Sequence, residues 1–193
     1  MASESAQALA EKHVREFARA CVRAGLLPYD ELRGEVVEAI TVELPDRSGE
    51  AEQLATAWVD EAREELRVDQ ESWPEATDYE RLQTAFDELE MLDVVVLQGC
   101  EDHWAAKQVL DDRAAAGDPP RGIAWFTPPD IWHAVDEGML EVNLWHGTTA
   151  NVAPGDDLLD EVLGLLEKHG LAATFGEGRI EVSAHWHKRL GPR

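Results

Sequence analysis

The spacing of apolar residues changes once along the chain, near Asp93, and that change bounds the fold more tightly than any other feature. Before it, apolar side chains return every three or four residues. Leu9, Val14, Phe17, Ala18, Cys21 and Val22 form one stripe over residues 3–24, and Leu54, Trp58, Ala62 and Leu66 form another ending near Asp69. After it, Val94-Val95-Val96-Leu97 is a short β-branched run suited to a strand buried on both faces. Leu140, Val142, Leu144 and His146 then alternate with Glu141, Asn143 and Trp145. This order predicts an α+β chain: an all-helical segment over residues 1–85, then an α+β domain over residues 86–193. The domain should hold about five strands in a mainly antiparallel sheet, with helices on one face.

Turn and cap chemistry places the boundaries. Gly25-Leu26 ends the first helix, and a second spans Tyr29–Leu44 before the turn residues Pro45-Asp46-Arg47-Ser48-Gly49. Trp73-Pro74 closes the third. Thr77 with Glu80 makes a capping box for a fourth that runs through Leu82, Phe86 and Leu89. Beyond Asp93 the pattern reads as a helix over residues 101–116, a strand Gly122–Phe126 and a short helix to Asp136 opened by Thr127-Pro128-Pro129-Asp130. A strand Met139–His146 and an amphipathic helix Asp156–His169 follow. The last strands, Leu171–Phe175 and Arg179–His187, join through Gly176-Glu177-Gly178 as a hairpin.

Charge narrows the classes of partner. Forty acidic against seventeen basic side chains give a net charge of −23, which repels phosphate backbones and anionic lipid headgroups. Direct nucleic-acid binding and membrane association are therefore not expected, whereas a basic protein partner is. The excess is steeper in residues 1–93, net −15, than in residues 94–193, net −8. Only Cys21 and Cys100 are present, so no disulfide framework can be read. Met1–Gln7 has neither a basic leader nor an apolar core, and no run approaches the ~20 apolar residues of a membrane span, which makes the cytoplasm the expected location. No oligomeric state follows from the sequence.

Six of the seven histidines lie beyond residue 100, most beside a tryptophan. In the last strand Ile180, Val182, Ala184 and Trp186 point inward, so His185 and His187 share the outer face. With His146 they are the candidate ligands for a divalent transition metal, the one cofactor the sequence suggests. His146, at a strand end beside Gly147-Thr148-Thr149, is also the first candidate catalytic residue. Asp130 and His133 share a helix face, where the carboxylate either orients the imidazole or caps the helix. Cys100 forms a C-x-x-H pair with His103, and is a nucleophile if a base reaches it or a buried thiol if none does. Phosphate-binding glycine loops, G-x-S-x-G and H-E-x-x-H are absent. Two readings follow: an acidic protein-binding or regulatory module acting on a basic protein, or a metal- or thiol-dependent enzyme with a histidine-rich site near the strand ends.

Between Phe86 and Arg189 three stretches carry a resemblance: Arg121–Asp130, Leu140–Gly147 and Gly178–Trp186. On these the chain resembles a family of bacterial domains of unknown function, in which an aromatic strand precedes an Asp-led helix and a further strand ends in glycine. The resemblance implies an α+β domain and transfers no activity. Related members often carry a cysteine-rich segment after the first strand; this chain has Cys100 alone there, which weakens any metal or thiol role drawn from them. The element order is also similar to that of small acidic regulators with a ferredoxin-like layout, some of which inhibit ribonucleases.

Overall fold

Helices with single apolar stripes must bury them against one another, and the first three do so. The computed structural model describes residues 2–148 and 150–191, with side chains from Ala6 onward; Met1, Thr149, Pro192 and Arg193 lie outside it. Two compact units emerge: the chain up to Trp73 together with the segment from Lys188, and Pro74–His187.

In the helical unit, α1 (Ala2–Ala24), α2 (Tyr29–Glu43) and α3 (Ala51–Asp69) surround one core. Val14, Ala18 and Val22 meet Leu32, Val36 and Ile40 of α2 and Ala55, Trp58, Val59, Ala62 and Leu66 of α3. Outside this core Arg15 reaches Glu61, Arg19 reaches Glu65 and Arg23 reaches Asp69. Each partner lies 46 residues further along, so α1 and α3 run in the same direction. The C-terminal segment is part of this unit. Lys188 donates to the Gly25 carbonyl at 2.6 Å, and Arg189 lies over the Trp73 ring, 5.9 Å from its centroid. Burial holds the Lys188 ammonium below its ordinary pKa.

The second unit contains α4 (Asp78–Met91), β1 (Val94–Gln98), α5 (His103–Ala115), β2 (Gly122–Phe126), α6 (Pro128–Asp136), β3 (Met139–His146), α7 (Asp157–Lys168), β4 (Ala172–Gly176) and β5 (Arg179–Ser183). The strands form one sheet in the order β1-β2-β3-β5-β4, with β1 and β2 parallel and every other neighbour antiparallel. This is the mainly antiparallel, five-stranded α+β architecture that the alternation predicts. A ferredoxin-like layout would insert a strand between the parallel pair; here β1 and β2 are direct neighbours.

Alternation assigns the faces. Phe126 meets Phe86 of α4 and Trp186, with ring centroids 5.8 and 5.9 Å away. Gly122, on the same face, closes onto Leu158 of α7. Ile123 and Trp125 point the other way, into a cluster with Ala106 and Leu110 of α5. Helices therefore lie mainly on one face as expected, but α5, as the crossover between two parallel strands, covers the β1-β2 end of the other. The remainder of that face, around Glu141, Asn143, Glu181 and Thr174, is left without a helix by the same alternation.

Two assignments of segments to units differ from the linear reading, and the last strand ends at Ser183 rather than at His187. The helix α4 belongs with the sheet, placing the division at Trp73/Pro74 rather than at residue 85, and the chain from Lys188 belongs with the helices. Charge follows this division. The helical unit has 17 acidic and 11 basic side chains, net −6, while the α+β unit has 23 and 6, net −17. The steeper excess in residues 1–93 arises because that stretch includes α4 and its flanks, which carry seven acids and only Arg81.

Candidate functional site

At the end of β3, His146 is held by a carboxylate ten residues away. Its Nε2 lies 3.0 Å from Oδ2 of Asp156, the residue that precedes α7. The same oxygen accepts the Ala153 N–H at 2.7 Å. These two contacts, the backbone one foremost, draw the Asp156 carboxyl below the ordinary carboxylate range. The His146 backbone N–H donates to the Ala150 carbonyl, which turns the loop back toward the strand. Both side chains are about one-third exposed, so this is an oriented imidazole at a partly open surface.

A second pair of imidazoles occupies the stretch after β5. The ladder with β4 ends at Ser183, yet alternation persists: Ala184 and Trp186 are buried and His185 is exposed. Ala184 N–H donates to the Gly138 carbonyl and Trp186 N–H to that of Ala134. His185 and His187 stack with centroids 5.1 Å apart and planes 9° from parallel. The His185 ring lies over Gly138, where a Cβ would come within 2.5 Å of it, and Gly138 has φ +71°; both facts require glycine. The N-terminus of α4 secures this stretch: Asp78 accepts the His185 backbone N–H and Thr77 donates its hydroxyl to the His187 carbonyl.

Asp130 is used as a cap. Its Oδ2 accepts both the backbone N–H and the hydroxyl of Thr127 at 2.7 Å, while His133 is exposed one turn on. Cys100 directs its thiol to the Asp102 carbonyl at 3.6 Å. Burial, with the carboxylates of Asp102 and Asp130, pushes that thiol up to about 11, so it is protonated at neutral pH. His103 stacks on the exposed Trp104, with centroids 4.6 Å apart. Among the described residues, no three His, Cys, Asp or Glu side chains form a metal-binding group. The candidate residues therefore fall into separate places: His146 with Asp156, His185 with His187, and Cys100 near the caps of α5 and α6.

The feature that linear reading misses lies at the edge of the sheet. Beside β4 and α7 runs a groove of about 740 Å³ lined by Asp160, Leu163, Gly164 and Glu167 on the helix and Ala172–Thr174 on the strand. The spacing of Asp160, Gly164 and Glu167 is a helical stripe that could be read from the sequence, but that it flanks an edge strand depends on the sheet order.

No helix among the described residues is long and apolar enough to cross a membrane. A family model described as "Domain of unknown function (DUF6891)" matches residues 7–190. It takes in the helical unit as well as the region from Phe86 to Arg189 whose motifs carried the resemblance. No curated protein and no solved structure matches the chain.

Proposed function

The chain belongs to this family of domains of unknown function, and we propose that it acts in the cytoplasm as a protein-binding or regulatory module whose α+β unit engages a basic protein. One observation carries the reading: that unit holds 23 acidic against 6 basic side chains. A field of one sign over a small unit accelerates encounter with oppositely charged partners and disfavours nucleic acid and anionic lipid. The test is capture with the full chain. The expected partner is rich in Lys and Arg, and its complex weakens at least tenfold between roughly 0.05 and 0.3 M salt as screening sets in. A partner no more basic than background, in a complex indifferent to salt, overturns the reading.

The His146–Asp156 contact favours a second reading, a metal- or thiol-dependent enzyme. A carboxylate that fixes an imidazole prepares it for proton transfer or for ligation through its other nitrogen. The raised Cys100 thiol argues against that group as the nucleophile. Stoichiometric zinc or another divalent metal in the purified protein, lost in His146→Ala, supports this reading; metal-free protein, with His146→Ala unchanged in partner binding, removes it.

A further inference from the structure

The hairpin that ends the sheet determines which backbone groups of β4 remain available. Glu177 and Gly178 both have positive φ, +51° and +83°, as a two-residue turn of type I′ demands. Such a turn makes Gly176 and Arg179 the first hydrogen-bonded pair, so Thr174↔Glu181 and Ala172↔Ser183 are the next. Ala173 and Phe175 consequently direct their N–H and C=O groups away from β5. In the sheet order β4 is an edge, and none of its five residues is charged or proline, the usual guards of an open edge.

The groove described above lies along this edge. Gly164 forms part of its wall, and a Cβ built there meets nothing within 4 Å. Asp160 and Glu167 flank it, seven residues or about 10 Å apart along α7. A strand lying beside β4 turns alternate residues toward α7, and residues four apart span about 13 Å. An apolar side chain above Gly164 therefore has two same-face neighbours whose long cationic side chains reach the two carboxylates.

We propose that the β4 edge and α7 bind an extended basic segment of a partner protein, of the pattern basic–x–apolar–x–basic, as a sixth strand. The proposal rests on the acidic-module reading above and assigns it a location. A second copy is a poorer occupant, because pairing edge to edge would bring two units of net −17, with their Asp160 and Glu167 carboxylates, against each other.

The experiment uses the full chain and two synthetic peptides of identical composition. One alternates Lys or Arg with Val in the proposed pattern, and the other has the same residues grouped into a basic block and an apolar block. Affinities are measured against salt, with amide exchange at Ala173 and Phe175 as the local readout. The alternating peptide should bind with salt sensitivity and slow exchange at both amides. Gly164→Leu, which fills the groove on an exposed helix face, should weaken it at least tenfold. Ala173→Pro, which removes an outward N–H, should do the same. Salt-sensitive binding of both peptides that neither variant weakens overturns the groove and leaves the acidic module standing. Absence of salt-sensitive binding by either peptide overturns both. Concentration-dependent self-association that Gly164→Leu abolishes assigns the edge to a second copy and likewise overturns the proposal.

Discussion

The two units carry acid differently. In the helical unit, arginines bridge the helices: Arg15, Arg19 and Arg23 tie α1 to α3, and Arg33 ties α2 to Glu52. These surface pairs match much of its acid within the unit. The α+β unit has six cations, and all six are already paired: Arg81, Lys107, Arg113, Arg121, Lys168 and Arg179 each meet a carboxylate. Six cannot match twenty-three, and of the acids there only Asp130 is buried among the described residues. The difference teaches that a net charge summed along a chain locates nothing until the chain is divided into folded units.

The largest expected effect tests the division itself. Trp186 is buried, meets Phe126 and places its ring edge-on to Tyr79 at 4.8 Å. Trp186→Ala should cost the α+β unit about 3–5 kcal/mol by emptying an aromatic site. Amide exchange checks it: protection should fall across β2, β3 and β5 while α1–α3 keep theirs. Equal loss in both units breaks the comparison.

Next in size is a contrast that should fail to distinguish the units. Cys21 lies in one and Cys100 in the other, and burial raises both thiols from an ordinary 9.0 to about 11. At pH 8, two units of pKa reduce the thiolate about 100-fold relative to the unfolded chain, so alkylation of both cysteines should be slower by at least that factor. A raised thiol pKa favours the protonated form in the fold. Its contribution to stability is therefore complete below pH 9 and lost as pH rises toward about 11. Rapid alkylation of Cys100 alone in the folded chain would separate the units and restore the thiol-enzyme reading.

Much of this was legible in the sequence because it depends on local period. Burial at Ile180, Val182, Ala184 and Trp186 follows directly from alternation, and the capping boxes at Thr77 and Thr127 follow from three-residue spacings. The illegible parts depend on contacts distant along the chain. Nothing local tells α4 to pack on β1, or Lys188 to return to Gly25. The sheet order that leaves β4 at an edge arises from strand pairings across dozens of residues. The site was legible residue by residue and not as an assembly. His146 stands on β3, and His185 keeps the alternation although it lies past Ser183, where β5 ends short of the expected His187. The partner of His146 is Asp156, supplied by the turn before α7, and imidazole reach cannot be read from spacing.

A smaller effect sharpens the boundary between the units. Thr77 is almost fully buried, accepts the Glu80 N–H and donates to the His187 carbonyl, so it both caps α4 and holds the end of the last extended stretch. Thr77→Val should cost about 1–2 kcal/mol, as lost caps do, and Thr77→Ser should recover most of it. Denaturant unfolding of the three proteins provides the measurement. If Thr77→Val loses nothing, α4 is not anchored at that end and its membership of the α+β unit is in question.

The smallest effect concerns the rungs between α1 and α3. Arg19 and Glu65 are both partly exposed, and their hydrogen bond raises the pKa of an already permanent cation, Arg19. A double-mutant cycle with Arg19→Met and Glu65→Gln isolates the coupling, expected at about 0.2–1 kcal/mol and falling as salt rises. The same salt should favour the α+β unit, whose dominant electrostatic component is self-repulsion at net −17. Opposite signs of salt response in the two units follow from one chain only if paired charge and excess charge are segregated between them. A common sign would mean that the arginine rungs contribute too little to outweigh the net −6 of their own unit.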